Sequence, residues 1–272
     1  SRLQQVISGV TEAIDTYNSD QAAHLLYQFL WHEFCDWYLE LIKPELYESQ
    51  EPAVRIHTQK VLQEVLDTLL RLLHPIMPFV TEEIWQKLPG RRGSIMVAPY
   101  PTARPELLDP EAEREMNLLM AAITSVRNLR GEMNILPGTK VELLLYSQDQ
   151  EELAILQRHA KALESLAKVG TLRFNPDSEP PPAAAKAVVQ AVEIYLPLTG
   201  LLDFAEEERR LTKEIDKIGK ELGTAQRKLA NEDFLAKAPP DVVLKEKAKV
   251  QLLTEKLAKL RSHRDRIRSF LT

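Results

Sequence analysis

The chain has 272 residues, 44% of them hydrophobic and 28% charged, a composition ordinary for a folded soluble protein with one large domain or two to three small ones. A single cysteine, Cys35, excludes an internal disulfide framework, and no apolar run approaches the ~20 residues of a membrane span, so a reducing, cytoplasmic setting without a membrane partner is expected. The net charge of −5 is uneven: residues 203–272 hold 17 Lys+Arg against 13 Asp+Glu (+4), and the rest hold 18 against 27 (−9). A basic tail on an acidic protein points to a polyanion or an acidic partner at that end.

Residues 1–100 read as helices and contain all three tryptophans, Trp31, Trp37 and Trp85, which places the aromatic core there. Leu26, Leu30, Phe34, Trp37 and Leu41 recur at helical spacing, and Pro44 is expected to stop that helix at Lys43. A second helix runs through VRIHTQKVLQEVLDTLLRLL, with Val61, Val65, Leu66, Leu69, Leu72 and Leu73 on its buried side. Pro78 starts the next one, where Glu82 and Glu83 suit the positive helix end. The Pro- and Gly-rich stretch LPGRRGSIMVAPYPTARPELLDP is a linker, and a helix follows from about Glu111 to Glu132. The period then changes: KVELLLYS alternates like a strand, QEELAILQRHAKALESLAKV is helical, and TLRFN and AVVQAVEIYLPL are strand-like, with SEPPPAAAK as the loop between them.

In the last 70 residues, Leu211, Ile215, Ile218, Leu222, Ala225 and Leu229 step by 4, 3, 4, 3, 4, and Val250, Leu253, Leu257 and Leu260 step by 3, 4, 3. Two heptad helices with a Pro-Pro break between them make an antiparallel coiled-coil hairpin, each helix of ~28 residues reaching ~42 Å, long enough to project as an arm. The predicted fold is therefore mainly α. It has a helical bundle at 1–137 with a linker at about 89–110, a small β-α-β-β unit at 138–200, and the coiled-coil hairpin at 201–272.

His32-Glu33-Phe34-Cys35-Asp36 differs from the zinc-protease pattern HExxH at its last position. Zinc would need at least one more ligand, which no neighbouring His motif supplies, and no flanking sequence marks Cys35 as a nucleophile. What remains is an acidic stripe, Glu33, Asp36, Glu40 and Lys43, stepping by 3, 4, 3 on one helix face. It is either a solvated face with a Glu40–Lys43 pair or a row of carboxylates that accept from arginines of a neighbouring helix or from base amino groups. Arg127 and Arg130 at a helix end either serve as capping charges or reach a phosphate or the acidic stripe. The two arginines of GRRG (residues 90–93) read as a solvated surface turn. In the hairpin, Lys220, Arg227, Lys228, Lys245 and Lys249 belong to a set of bases interleaved with few acids, either ordinary outer-face charges or a polyanion surface. A competing reading makes the hairpin a protein-interaction or dimerisation element, since Ala225, Ala258 and a core-register Arg264 leave its seam thin.

FLWHEFCDWYLELIKPEL, RLLHPIMPFVTEEIWQKL, VRNLRGEMNILPG, LPLTGLLDFAEEERRLTKEI and QRKLANEDFLAKAPPDVV together resemble, in this order, the C-terminal third of bacterial-type valyl-tRNA synthetases. The resemblance implies an anticodon-binding bundle and a coiled-coil arm that touches the tRNA elbow. The partners would be valine tRNA and the remainder of the synthetase chain, and the fragment would be monomeric. It also implies that a first bundle helix precedes Ser1. Neither HIGH nor KMSKS nor an editing domain has a counterpart here, so this stretch is expected to be no enzyme by itself and to hold no cofactor, ATP with Mg belonging to the parent. For tRNA contact the expected residues are Lys220, Arg227, Lys228, Lys245 and Lys249 in the arm and Glu33, Asp36, Arg127 and Arg130 in the bundle, with no catalytic and no metal residue.

Overall fold

The computed structural model describes residues 1–90, 93–201, 203–231, 236 and 238–270. It divides into two units, Ser1–Ile123 with Ile155–Leu166, and Thr124–Ala154 with Ala167–Thr272.

In the first unit, α1 (Arg2–Asp15) turns at Thr16–Asn18 into α2 (Ser19–Gln28), whose start is capped by Asn18 Oδ1 accepting from the Gln21 N–H at 3.2 Å. The chain then runs without a break through a π-helix (Phe29–Tyr38) into α3 (Leu39–Tyr47). In a π-helix the i→i+5 hydrogen bonds widen the turn and bring residues five apart next to each other on successive turns. Phe29 and Phe34 are buried and Leu39 packs beside them, so the core face follows that period and not the 3.6 of the surrounding helix. This shift removes Trp31 from the expected aromatic core: it is 50% exposed. Pro44 also departs from expectation, because α3 continues past it to Tyr47. The one missing N–H is tolerated where Ile42 is buried and where Thr58 of α4 (Pro52–Leu73) donates to Glu45 at 2.6 Å.

The bundle core joins Val6, Ile7 and Val10 of α1, Leu26 of α2, Phe29 and Phe34, and Leu69, Leu72 and Leu73 of α4. Val61, expected on the buried side of α4, is exposed. Helix α5 (Pro78–Trp85) begins at Pro78 as expected, but Glu82 and Glu83 lie beyond its first turn. Glu82 instead accepts from Ser94 at 2.5 Å and Gln86 at 2.6 Å, and these hydrogen bonds hold its carboxyl below the usual range. The linker is strapped to the bundle. The Arg104 N–H donates to Gln4 (2.8 Å), the Arg104 guanidinium reaches Glu64 (2.6 Å), and Ala103 packs on the core. The carboxylate of Asp67 is buried in α4 and accepts from Trp85 Nε1 at 2.8 Å and from Arg71 at 2.8 Å.

Helix α6 (Pro110–Glu132) begins in the first unit and ends in the second. The sheet of the second unit has the order β2-β1-β4-β3, with β1 (Val141–Tyr146), β2 (Val169–Phe174), β3 (Ala184–Val189) and β4 (Val192–Pro197). The parallel pair β1–β2 is joined by a crossover containing α7 (Gln150–Arg158) and α8 (Ala160–Ala167). The segment read as one strand, AVVQAVEIYLPL, is a hairpin: Gln190, at φ 52°, and Ala191 reverse the chain, and β3 takes in three residues assigned to the preceding loop. Buried Glu152 accepts from the Ala191 N–H at 3.0 Å and fixes that turn.

Helices α9 (Phe204–Leu229) and α10 (Pro240–Ser269) form the expected antiparallel hairpin. Asp203 caps α9 by accepting from the Glu206 N–H at 2.9 Å, and Pro240 opens α10. Within the break, residues 232–235 and 237 lie outside the described residues, whereas Pro239 and Pro240 are described. Among the described residues no helix is long and apolar enough to cross a membrane.

Asp67→Ala is expected to destabilise the bundle by about 2–3 kcal/mol, since it strands the indole N–H and the half-buried Arg71 guanidinium. A urea titration followed by tryptophan fluorescence reads this as a lower midpoint.

Candidate nucleic-acid interface

The hairpin seam is closed by its own two helices. Ile215, Ile218, Leu222, Leu253 and Leu257 are buried against one another, with Val250 and Leu260 beside them. Apolar rows at heptad spacing face inward, so the positions between them face water. On α9, Lys213, Lys217, Lys220, Thr224 and Arg227 step by 4, 3, 4, 3 along one exposed face; on α10, Lys245, Lys249, Leu252, Lys256 and Lys259 do the same. Residues 217–259 carry ten Lys+Arg against six Asp+Glu, a net of +4, so the remainder of 203–272, with seven of each, is neutral. All the excess positive charge of the hairpin therefore lies in the half next to its turn.

Lys220 and Arg227 border a shallow concavity floored by Gly223. Arg227 donates Nε–H to the Gly223 carbonyl (3.2 Å) and a second N–H to the Thr224 hydroxyl (3.4 Å), which lays the guanidinium along the helix. Lys245 and Lys249 are exposed one turn apart. Lys228 leans across the seam, with Nζ 3.8 Å from the Glu246 carboxylate, and so gives part of its charge to the hairpin itself. Leu252, 66% exposed between Lys249 and Lys256, is an apolar feature that the charge pattern did not reveal.

In the bundle the acidic stripe is split. The π-helix rotates Glu33 and Asp36 away from the shared face that a 3.6 period gives them. Glu33 accepts two hydrogen bonds from Arg2 of α1 (2.8 and 2.5 Å), so of the two partners open to it the structure supplies an arginine. Asp36 is exposed and lies 3.3 Å from His32 Nδ1, while Glu40 pairs with Lys43. Burial, followed by the charge of Asp36, pushes the Cys35 thiol up, away from the thiolate that a nucleophile needs. Among the described residues no group of three or more His, Cys, Asp or Glu side chains could hold a metal. Tyr27, Trp31 and Tyr47 expose aromatic faces of the kind on which unpaired bases stack. They escaped notice in the sequence because aromatic residues at helical spacing read as core.

The two α6 arginines part company. Arg127 is exposed. Arg130 is only 6% exposed and donates to the carbonyls of Leu136 (3.0 Å), Pro137 (3.3 Å) and Lys168 (3.5 Å). It fastens the end of α6 to the loop that leads into the sheet, and a phosphate cannot reach it. Arg91 and Arg92 of GRRG lie outside the described residues.

At the open end of the hairpin, Phe204 and Phe270 pack with ring centroids 5.5 Å apart, Arg268 pairs with Glu208 (3.0 Å), and Arg266 pairs with Glu132 of α6. Among them His263 Nε2 is enclosed without a hydrogen-bond partner among the described residues. Burial pushes its pKa down; Glu207 and Glu132 oppose that shift, and Arg210 and Arg266 add to it.

Two tests follow from these placements. Arg130→Met is expected to cost about 1–2 kcal/mol, by removing the charged hydrogen bonds that tie the end of α6 to those carbonyls, and to leave the salt dependence of RNA binding unchanged. His263 resists protonation when folded, so stability is complete above the ordinary histidine pKa of about 6.5 and declines below it, where the unfolded chain takes up the proton first. Urea midpoints measured across that range should show this decline in the native chain and a smaller one in His263→Gln.

Comparison with known proteins joins these features. The family model "Anticodon-binding domain of tRNA ligase" matches residues 1–145, and "Valyl tRNA synthetase tRNA binding arm" matches residues 203–268. The chain is 44% identical to the valine–tRNA ligase of Geobacter sulfurreducens over 269 residues, 98% of this chain and 30% of the relative. It is 43% identical to those of Syntrophotalea carbinolica and Geobacillus stearothermophilus, over 96% and 94% of this chain and 29% of each relative. The chain thus spans about 30% of the length of the relatives it matches.

Proposed function

Because this chain belongs to the anticodon-binding domain family of tRNA ligases and carries the valyl-tRNA synthetase tRNA-binding arm, we propose that it holds valine tRNA at two places, the anticodon stem-loop and the elbow. The observation that carries the reading is the hairpin's charge. Its seam is filled by its own leucines and isoleucines, so two exposed lysine-rich faces are left for a polyanion, and the excess positive charge lies toward the turn. Lys220, Arg227, Lys245 and Lys249 are the phosphate contacts, with Lys228 contributing less because Glu246 shares it. These contacts position the RNA and carry no sequence information; bases splayed from the anticodon loop are read on the bundle, where Asp36 is exposed, and Arg127 of α6 is a separate exposed contact. Glu33, already neutralised by Arg2, orders the bundle face instead of meeting RNA.

The role of such contacts is to spend binding energy far from the chemistry on fixing the acceptor end of the tRNA in a distant active site. Valine activation, with its ATP and Mg, and aminoacyl transfer belong in this reading to the part of a ligase that this chain does not span, and the chain works in the cytoplasm as a monomer without a cofactor of its own. A dimerisation role would need apolar seam surface left over; the buried rows of α9 and α10 satisfy each other.

Electrophoretic titration of valine tRNA and of a second tRNA at two salt concentrations tests the proposal. Affinity for valine tRNA is expected to fall steeply with salt, and Lys220→Ala, Lys245→Ala and Lys249→Ala should each lower the log–log salt slope by about 1. Affinity indifferent to salt would sink the electrostatic hairpin, and equal affinity for both tRNAs would sink anticodon reading by the bundle.

A further inference from the structure

Helix α5 buries one edge and leaves the rest of its circumference to water. Thr81 and Trp85, one turn apart, face inward, where Trp85 meets Leu70 and Ile95. Phe79, 89% exposed, lies on the opposite arc next to Glu82, and Val80 and Ile84 are exposed on the other flank. The short turn Ile95–Val97 extends this surface. It is fastened to α5 by Glu82, which accepts from the Ser94 hydroxyl (2.5 Å) and the Ile95 N–H (3.4 Å). Ile95 turns into the core, so Met96 and Val97 point outward, 75% and 82% exposed. A folded domain rarely leaves such a run of large apolar side chains uncovered.

Beside this face Lys87 Nζ is held 2.6 Å from Glu83, and Glu82 accepts from Gln86 and Ser94, so these charges are engaged within the protein. An apolar centre with a charged rim is the anatomy of a protein interface. The face follows directly on the end of α4. The valine–tRNA ligase of Geobacter sulfurreducens matches 98% of this chain with only 30% of its own length, so such a ligase contains more than twice this length of further polypeptide.

We infer that the face formed by Phe79, Met96 and Val97 is where the remainder of a valine–tRNA ligase chain packs on the bundle. The inference rests on the chain's working as part of such a ligase and is independent of whether it binds tRNA with measurable affinity. Seating this face on the rest of the ligase transmits the position of a bound anticodon loop through rigid helices.

Methionine oxidation by dilute peroxide, read by peptide mass spectrometry on a full-length valine–tRNA ligase containing this sequence, tests the inference without RNA. Met133, fully buried, sets the slow limit, and the urea-unfolded chain sets the fast one. Met96 is expected to oxidise about ten-fold more slowly than in the unfolded chain, near the Met133 rate, at every protein concentration, since access of oxidant governs the rate. Three results would overturn the inference: oxidation of Met96 at the unfolded rate, protection lost on dilution (a second copy covers the face), or protection that appears only when tRNA is added. A failed tRNA titration leaves the Met96 result unchanged, so the two readings fail separately.

Discussion

The apolar seam between α9 and α10 is the constraint on which the functional surface depends. Each buried isoleucine or leucine in it contributes about 1.5–3 kcal/mol by leaving water, and the heptad spacing dictates that all of them leave water on the same side. The lysines between those positions are thereby committed to solvent, with no choice of face. A positive surface on an acidic protein is thus a by-product of packing: the same rows that hold the hairpin together sort its charges outward.

The bundle solves a different problem. Its middle helix must bury Phe29 and Phe34 while Glu33 meets Arg2 of α1, and a 3.6 period cannot bring all of these to the right sides. The π-helix over Phe29–Tyr38 does so by bringing residues five apart next to each other on successive turns. Such segments are less well hydrogen-bonded than an α-helix, so this one persists because the surrounding core over-determines it. The buried Asp67–Trp85–Arg71 group acts likewise at the other side of α4, where a charge away from water is satisfied by an indole N–H and a guanidinium.

Periodicity made the hairpin, its heptad register and the small β-containing unit legible, because those elements obey a single period over many residues. It misjudged the places where one residue changes local geometry. Pro44 costs one hydrogen bond, which the surrounding helix absorbs; Gln190 adopts a positive φ and folds one apparent strand into two; and Trp31 rides the π-helix outward. Among the candidate site residues, the hairpin bases were legible as a charge excess. Arg130 was not, since a buried cation that serves backbone carbonyls has the same letters around it as one that waits for a phosphate.

The sequence by itself determined which residues are apolar at which spacing, and with that the existence of the helices, the antiparallel hairpin and the positive sign of its outer faces, all consequences of local periodicity and composition. Only the tertiary structure decided which charges are spent within the protein. Glu33 is taken by Arg2 from 31 positions away, Arg130 by carbonyls of Leu136, Pro137 and Lys168, and Lys228 is drawn toward Glu246 across the seam. Phe79, Met96 and Val97 are left facing water by the same logic, since Trp85 and Ile95 fill the space inside. Pairing and burial depend on distances between segments remote in sequence, and no local pattern encodes those distances.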